Sequence, residues 1–358
     1  MLRKMKLSLL SIGGSLLILA ILAACGSSER PTPTQDVQLP IIGSGDVSPA
    51  YPGPQADSGY PGPGQTTVEF PPVPADVAFF VPPPEGIPTF PGKLLFQTER
   101  YGILQVALLA GDSGEVTRVT NVPTQAFEPD WSPDCSAIAY TEEVGNNQDF
   151  DIYIHDIASG QRRPLVTGSG AYDWAPAWSP DGSIIAYQNN QDALINICFI
   201  APTGERLGCM ERGSYSNAMP AWSPDGTRLA FGSNRAGNWE LYVTDYPAMS
   251  TLTRLTDNND IDFHPQFSPD GQWIVFTSKR LGSYDLYLVG ADGQNERQLT
   301  TLASDERDPT WVGNDRIAFT ANIEDDWELY IINVDGSNMQ RLTYTRGADQ
   351  WPVWCSAE

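Results

Sequence analysis

From Lys93 onward the chain alternates short apolar runs with turn residues, and this pattern has a long period. The tripeptide Pro-x-Trp, with Phe in one copy, recurs with its aromatic residues 47, 44, 45, 44 and 43 positions apart. These six anchor residues are Trp131, Trp178, Trp222, Phe267, Trp311 and Trp354. Self-similarity at about 40 to 45 residues indicates a repeat protein in which each period is one supersecondary unit.

Each period holds four short strands. In most copies the anchor strand is followed by the turn signal Ser-Pro-Asp-Gly and then by an apolar run, such as 184–187 or 273–276. A polar loop leads to a third strand, such as 240–243, and a Gly-containing turn leads to a fourth that ends in Arg-Leu-Thr, as at 254–256. The pattern predicts the blades of a β-propeller, because one small sheet needs neighbours to cover both of its faces.

The two ends of the repeat region predict how the ring closes. Residues 92–100 align with 271–279, so blade one begins at its second strand and lacks its own Pro-x-Trp. The missing strand appears at 350–354, an anchor strand that no second strand follows. We expect this strand to become the inner strand of blade one. The prediction is an all-β, six-bladed propeller over residues 92–358.

These repeats resemble a known family. The Pro-x-Trp-Ser-Pro-Asp-Gly copies at 176–182 and 220–226 are similar to the TolB-type propeller repeat, also called PD40 or WD40-like, and the resemblance covers about residues 92–358. It implies a six-bladed propeller in the cell envelope, where the propeller of TolB binds other envelope proteins. The chain departs from TolB in having a Pro-rich segment in place of an α/β domain, and in carrying a lipidation motif. The resemblance therefore implies the fold and a binding role, and leaves the partner open.

The N-terminus has the pattern of an exported lipoprotein. Three basic residues precede an apolar run over 7–24, and the residues 22–26, Leu-Ala-Ala-Cys-Gly, resemble the bacterial lipobox. We expect a signal peptide over 1–24 and a diacylglyceryl group on the thiol of Cys25. The alternative is an uncleaved anchor helix. Either arrangement places the remaining chain outside the cytoplasm, anchored to the cell membrane or to an outer membrane.

Residues 25–91 form a Pro- and Gly-rich linker behind the lipidated cysteine. The stretch 31–92 holds 16 of the 30 prolines, and Tyr-Pro-Gly-Pro occurs twice, at 51–54 and 60–63. Proline removes backbone donors and interrupts helices, so this composition predicts a disordered tether. The alternative is that the segment is itself a ligand for an aromatic-lined groove. Phe79, Phe80 and Phe90 indicate that the last part of the linker packs against the propeller.

Charge and composition exclude two classes of function. The chain has 44 acidic and 21 basic residues and a formal charge of −23, which is unfavourable for holding a phosphate backbone, so nucleic acid is excluded as a partner. The lipid, rather than a basic patch, would then hold the protein at the membrane. Five Cys and two His are too few for an ordinary Cys/His zinc site. We expect a monomer that requires no cofactor.

Four cysteines of the repeat region predict two disulfides. Cys198 and Cys209 flank the turn at 203–204, and in a two-residue hairpin they face each other. Cys135 replaces the Gly of one Ser-Pro-Asp-Gly turn, and Cys355 follows the last anchor residue. Ring closure brings those two strands into adjacent blades, so we expect a second disulfide that pins the C-terminus. A reactive thiol is the alternative, but an exported chain favours disulfides.

One set of polar residues stands three positions before each repeat proline. Equivalent positions of successive blades converge near the propeller axis, so the four carboxylates of this set predict an acidic ring at the mouth of the central channel. Such a ring would suit Ca²⁺ or another hard cation, or a basic peptide segment. The alternative is that these residues cap turns and are solvated. The residues are Ala126, Asp173, Asn217, Asp262, Glu306 and Asp349.

His264 is the candidate for chemistry. It directly precedes Pro265, and the other blades carry Glu128, Ala175, Met219, Asp308 or Trp351 at that position. Some pectin-degrading lyases with similar repeats use a histidine and a metal, but a single histidine is more typical of an ordinary channel residue. The second histidine, His155, is expected at a strand edge. The sequence contains no Gly-x-Ser-x-Gly nucleophile elbow.

Three functions are compatible with this pattern. The first is a protein- or peptide-binding scaffold, in which the lipid-anchored propeller presents a rigid loop-lined face to an envelope protein or peptide. The second is a carbohydrate-active enzyme or a Ca²⁺-dependent hydrolase or lyase that uses the acidic ring and His264 at the channel mouth. The third is a sugar-binding module, which depends on exposed aromatic residues. The aromatic candidates for it are Trp174, Trp239, Trp327 and Trp351.

Overall fold

The computed structural model describes residues 86–356, except for 146–148, 169, 192–193, 212, 281 and 324–325. The signal peptide, Cys25 and the linker up to residue 85 lie outside the described residues and stay predictions. Within the described part of the chain, no helix is long and apolar enough to cross a membrane.

Six antiparallel sheets of four strands each make up the described chain, which confirms the six-bladed propeller. We number the strands β1–β24 in chain order. The inner strands of blades two to six are β4 (Ala126–Trp131), β8 (Asp173–Trp178), β12 (Asn217–Trp222), β16 (Asp262–Phe267) and β20 (Glu306–Val312). The second strands of blades one to six are β1 (Lys93–Thr98), β5 (Ala137–Val144), β9 (Ile185–Asn189), β13 (Arg228–Ser233), β17 (Trp273–Ser278) and β21 (Arg316–Ala321).

The outer half of each blade is built in the same way. The third strands are β2 (Gln105–Ala110), β6 (Asp149–Asp156), β10 (Asn196–Ile200), β14 (Glu240–Asp245), β18 (Asp285–Gly290) and β22 (Glu328–Asn333). The fourth strands, at the rim, are β3 (Val116–Arg118), β7 (Arg162–Val166), β11 (Arg206–Cys209), β15 (Leu252–Arg254), β19 (Arg297–Gln298) and β23 (Gln340–Arg341).

The last strand, β24 (Asp349–Cys355), closes the ring as predicted. It pairs antiparallel with β1, from Lys93 opposite Cys355 to Thr98 opposite Asp349, and so supplies the inner strand of blade one. The two ends of the propeller are therefore held in one sheet.

Apolar side chains fill the space between neighbouring sheets. Between blades four and five, Leu241 and Val243 of β14 lie in one cluster with Ile274 and Phe276 of β17, and each is at most 7% exposed. Alternate residues of a strand point to opposite faces, so each blade contributes one set of side chains to each neighbour. Burying such a side chain stabilises the fold by about 1.5 to 3 kcal/mol.

Three anchor tryptophans, Trp131, Trp222 and Trp311, also join neighbouring blades by hydrogen bonds. The indole Nε1–H of Trp222 donates to the backbone oxygen of Ala177 at 3.1 Å, in the inner strand of the preceding blade. Trp311 makes the equivalent bond to Gln266 at 3.0 Å. Tryptophan combines a large apolar ring with an N–H donor, which explains why the repeat favours it at this position.

The Ser-Pro-Asp-Gly turns are held by a local hydrogen-bond network. In blade four, Ser223 Oγ accepts from the backbone N–H of Arg228 at 2.9 Å and donates to Asp225 Oδ1 at 2.5 Å. The bond from Ser223, followed by one from the backbone N–H of Thr227, lowers the pKa of Asp225 to about 2. Gly226 has φ of +69°, and a Cβ there would lie 3.4 Å from Pro180 of the preceding blade. The turns of successive blades therefore lie side by side on one end of the propeller, here called the turn face.

Both predicted disulfides are present. Cys198 and Cys209 are directly paired residues of β10 and β11, with a Cα–Cα distance of 3.8 Å. Cys135 and Cys355 are 6.2 Å apart at their Cα atoms and join the turn of blade two to the end of β24. The second disulfide therefore links blade two covalently to the strand that closes the ring.

The disulfide at the ring closure should contribute more to stability than the hairpin disulfide. In the chain-entropy estimate, the 220-residue separation of Cys135 and Cys355 corresponds to about 5 kcal/mol, and the 11-residue separation of the hairpin pair to about 3 kcal/mol. We expect the double change Cys135→Ser, Cys355→Ser to lower the free energy of unfolding more than Cys198→Ser, Cys209→Ser. Urea unfolding of the two variants measures the difference. A larger loss in the hairpin variant would contradict this ranking.

Candidate functional site

A repeated irregularity of the inner strands shapes the propeller axis. In all six blades the residue just before the repeat proline has a left-handed backbone, with φ between 47° and 58°, at Glu128, Ala175, Met219, His264, Asp308 and Trp351. None of the six is glycine, so each position is strained unless its surroundings hold it. The register of each inner strand shifts at this point, which marks a β-bulge. Bulges redirect side chains, and these six residues, here called the bulge ring, surround the axis.

A cavity of about 570 Å³ lies above the bulge ring and is bordered by the turn face. Its base contains four members of the ring, Ala175, Met219, His264 and Trp351. Its walls are the repeat prolines, the anchor tryptophans of blades one to four and the Ser-Pro pairs of the turns. We call this space the axial cavity. It contains seven prolines and five tryptophans among its lining residues, so much of its wall is rigid, and serines add polar surface between the rings.

The predicted acidic ring lies elsewhere. Its side chains are at most 1% exposed, and each sits at the first residue of an inner strand, opposite the last residue of the second strand. Inner-strand side chains point toward neighbouring blades rather than the axis, because each blade is a radial sheet. Of the six residues predicted at the channel mouth, His264 alone lines the axial cavity. Ligand binding by Asp173, Asn217, Asp262, Glu306 and Asp349 stays a prediction.

Arginines of the following loops pair with three of these buried residues. Arg100 contacts Asp349 at 2.5 Å, Arg280 contacts Asp262 at 3.1 Å, and Arg235 donates to Asn217 at 2.8 Å. Burial raises the pKa of both aspartates, and the neighbouring arginines oppose that rise. These contacts hold the loops that enter the third strands.

The remaining carboxylates of the set have polar partners in their own blades. Asp173 Oδ1 accepts a hydrogen bond from Asn189 at 2.7 Å, and Ser304 donates to Glu306 at 2.7 Å. Within the described residues, no group of three or more His, Cys, Asp or Glu side chains is placed to hold a metal ion. The predicted Ca²⁺ therefore finds no ligand set in this part of the chain.

His264 and Asp308 form a buried pair at the base of the axial cavity. His264 Nδ1 lies 3.1 Å from Asp308 Oδ1, and the imidazole stacks on Trp351 with ring centroids 4.4 Å apart. In the tautomer that carries its hydrogen on Nδ1, the imidazole donates to this carboxylate and its Nε2 is a hydrogen-bond acceptor at the base of the cavity.

Glu128 is the second buried carboxyl group of the bulge ring. It is 1% exposed, and its Oε2 accepts from the backbone N–H of Ala175 at 3.1 Å. Burial, and to a smaller extent the charge of Asp308, raises the pKa of Glu128 to about 8. The group is therefore uncharged at neutral pH, and its proton lowers the charge near the axis.

The axial cavity carries little charge for so acidic a protein. Among its described lining residues, only Asp130 and His264 have ionisable side chains. Asp130 Oδ2 accepts from the backbone N–H of Trp178 at 2.6 Å, and burial raises its pKa to about 7. An apolar or uncharged ligand suits this surface better than a polyanion or a metal ion.

The expectation that four tryptophans are exposed is wrong. Trp174, Trp239 and Trp351 are 2%, 4% and 8% exposed, and they belong to one cluster around the axis. Trp327 is half-buried beside the guanidinium of Arg307. Packing against apolar neighbours of this cluster, such as Ala218 and Phe263, buries the rings of Trp174, Trp239 and Trp351. The exposed aromatic surface proposed for sugar binding is therefore absent at these four positions.

The repeat pattern of the sequence marks much of the site. The anchor tryptophans Trp178, Trp222 and Trp354 carry the repeat, and they also form the cavity wall. The position before each repeat proline, which His264 occupies in one blade, defines the whole bulge ring. His155 lies in a separate cavity between blades one and two, where burial lowers its pKa.

Glu128 should make stability depend on pH. Its pKa is raised from 4.5 to about 8, so between these values the folded state keeps a proton that the unfolded chain releases. The contribution of Glu128 to the free energy of unfolding therefore falls as pH rises through this window, by about 1.4 kcal/mol per pH unit at most. We expect Glu128→Gln to gain stability relative to wild type between pH 5.5 and 8. Urea unfolding at both pH values measures this, and a constant difference would contradict it.

Comparisons with known proteins agree with this geometry. A family model described as PD40, the TolB beta propeller domain, matches residues 202–316. The solved structure of TolB from Acinetobacter baumannii is 21% identical, with a TM-score of 0.65 over 75% of this chain and 68% of that chain. A candidate TolB from Agrobacterium tumefaciens is 22% identical, with a TM-score of 0.60 over 73% of this chain and 91% of that chain.

A solved enzyme has a similar fold. An oligogalacturonate lyase in complex with manganese is 14% identical, with a TM-score of 0.52 over 71% of this chain and 75% of that chain. A search of curated proteins gave no match. Identities at this level show a shared fold alone. The PD40 match over residues 202–316 and the closed ring of six blades together show that this chain is a six-bladed β-propeller similar to that of TolB.

Proposed function

We propose that this protein is a lipid-anchored extracytoplasmic scaffold whose axial cavity binds a segment of another envelope protein. The observation that carries the proposal is the cavity itself, about 570 Å³ in volume, bordered by the turn face and lined by tryptophan, proline and serine. Aromatic anchors and rigid walls are common features of sites that recognise peptides, because little side-chain entropy is lost on binding.

The walls of the cavity are held in place before any ligand arrives. Each wall tryptophan that donates to the preceding blade, such as Trp222 to Ala177, fixes its own ring. The turns are held by the serine and aspartate network described for Ser223 and Asp225. A preformed site binds more tightly, because less conformational entropy is lost when its side chains are ordered by the ligand. The resemblance to TolB, whose propeller binds envelope proteins, supports the same function.

The proposed location follows from the N-terminal sequence and the cysteines. A lipid on Cys25 would hold the protein at a membrane, and the linker up to residue 91 would carry the propeller away from the surface. Two disulfides fit an oxidising compartment outside the cytoplasm. A scaffold of this kind acts as a monomer and needs neither a cofactor nor nucleic acid.

A second candidate function is a carbohydrate-active lyase or hydrolase. The pair of His264 and Asp308 at the base of the cavity favours it, because a carboxylate that orients an imidazole is a common arrangement in general acid–base catalysis. The enzyme would also require a substrate-binding set and, in the Ca²⁺-dependent form, metal ligands. The acidic residues Asp173, Asp262, Glu306 and Asp349 would have to supply these ligands. We regard binding as the better supported function.

Site-specific cross-linking tests the scaffold proposal. Pro269 is exposed at the rim of the axial cavity, so a photo-reactive amino acid placed there should capture the bound segment in intact cells. The same amino acid at Leu207, 45% exposed at the outer rim of blade three, is the control position. We expect one envelope protein to be captured from Pro269 and not from Leu207.

A blocked cavity distinguishes specific capture from chance contact. Ala175→Trp places at the base of the cavity a residue that the bulge ring already carries at Trp351, and Leu207→Trp adds the same side chain outside the cavity. Capture from Pro269 should disappear with Ala175→Trp and persist with Leu207→Trp. Equal capture in both variants would overturn the assignment of the cavity. Turnover of oligogalacturonate that is lost in His264→Ala would favour the enzyme instead.

A further inference from the structure

The axial cavity also fits a segment of this chain. We infer that the Tyr-Pro-Gly-Pro copies at 51–54 and 60–63 dock into the axial cavity and compete there with the partner. This inference rests on the proposed function, because it assigns a regulator to the same binding site. Its support comes from the chemistry of the cavity wall, the place where the linker joins the propeller, and the length of the linker.

The cavity wall matches an uncharged proline-rich segment. Grooves that recognise extended proline-rich peptides do so with aromatic side chains, on which proline rings pack. Trp178, Trp222 and Trp354 are half-buried members of the wall, so part of each ring remains exposed. The protonated Glu128 and the bonded Asp130 keep charge low at the base and wall.

The linker joins the propeller at the turn face. Blade one lacks a Ser-Pro-Asp-Gly turn, and β1 begins at Lys93, directly opposite Cys355 at the end of β24. The linker therefore arrives where the missing turn would stand. Its last proline accepts a hydrogen bond from a residue of the cavity wall, since the indole N–H of Trp354 donates to the backbone oxygen of Pro91 at 2.7 Å.

The described end of the linker is fixed to blade one. The backbone N–H of Phe90 donates to the oxygen of Gly111 at 2.9 Å, and its ring is 5% exposed in the cluster between blades six and one. This agrees with the expectation that Phe90 packs against the propeller. The linker therefore meets the propeller at a defined point, on the same face as the mouth of the axial cavity.

The linker is long enough to return to the axis. Twenty-two residues, 64–85, separate the second Tyr-Pro-Gly-Pro copy from Gly86. At about 3.1 Å per residue in an extended proline-rich conformation, they span on the order of 70 Å. A blade of four strands, spaced about 4.8 Å apart, measures roughly 15 to 20 Å from axis to rim. Both copies can therefore reach the cavity, and the linker behind the first copy is longer than this distance requires.

The sequence of the two copies suits the cavity better than the rest of the linker does. Residues 31–91 contain six acidic and no basic residues, but the stretch 51–63 contains only Asp57. Each copy offers a tyrosine ring and two proline rings without a charge. A tyrosine hydroxyl could donate to Nε2 of His264, the acceptor at the base of the cavity. Duplication doubles the number of local binding segments.

A tethered segment competes strongly even when its own affinity is low. A flexible linker of this length gives an effective concentration in the millimolar range. A segment that binds with a dissociation constant near 0.1 mM would then be bound about tenfold more often than free. The partner would have to displace it, so the linker would set a threshold for partner binding.

A labelled synthetic peptide with the sequence of residues 51–63 tests the inference. It is titrated by fluorescence polarisation into the full chain and into the variant Tyr51→Ser, Tyr60→Ser. Removing the tethered competitors should tighten peptide binding at least fivefold. The control variant Val47→Ser, Val73→Ser, which changes the linker outside both copies, should bind as wild type does. In the Tyr51→Ser, Tyr60→Ser background, Ala175→Trp should abolish peptide binding and Leu207→Trp should not.

The outcomes separate this inference from the proposed function. Equal peptide affinity for wild type and the tyrosine variant, or no peptide binding at all, overturns docking of the linker. If the peptide still binds to the Ala175→Trp variant, the axial cavity is not its binding site. Cross-linking of a partner from position 269 does not depend on the peptide, so it tests the scaffold function independently. Circular dichroism melting of each variant confirms that the comparison is made between folded proteins.

Discussion

The structure depends on one constraint: each blade has two apolar faces, and only neighbouring blades can cover them. A four-stranded sheet exposes side chains on both sides, so no blade is stable alone and the ring must close. The closing element is β24, which pairs with β1 and is pinned by the disulfide between Cys135 and Cys355. Packing between blades, the anchor hydrogen bonds and the cavity all require that closure.

The same constraint produces the site. Radial sheets send their side chains toward neighbouring blades, which would leave the axis lined by backbone alone. The bulge before each repeat proline redirects one side chain per blade toward the axis. The residue type at this position differs from blade to blade. Alanine, methionine, histidine and tryptophan therefore occupy equivalent places at Ala175, Met219, His264 and Trp351. The repeated residues build the wall, and the variable ones give the cavity its chemistry.

Charge is kept away from this site. The chain is strongly acidic, yet of the two carboxyl groups in the bulge ring Asp308 is paired with His264 and Glu128 is protonated. Buried aspartates at the start of the inner strands are paired with arginines such as Arg100 and Arg280. The proposed ligand, an extended neutral segment, agrees with a cavity that has aromatic and proline walls and few charges. The linker joins the propeller at the cavity wall through the bond between Trp354 and Pro91, so the proposed anchor and the proposed binding site lie on one face.

The sequence by itself determined the period, the four strands per blade, the closure by 350–354 and both disulfides, because turn residues, apolar runs and cysteine positions are local signals. It could not show how the side chains of the acidic set are buried and paired. Spacing shows that residues such as Asp173 are equivalent, but the direction of a side chain depends on strand pleat and bulge. Burial of Trp174 and the pairing of His264 with Asp308 likewise arise only when distant blades meet. Tertiary structure decided these features, because each depends on contacts between residues that lie about one period or more apart in the chain.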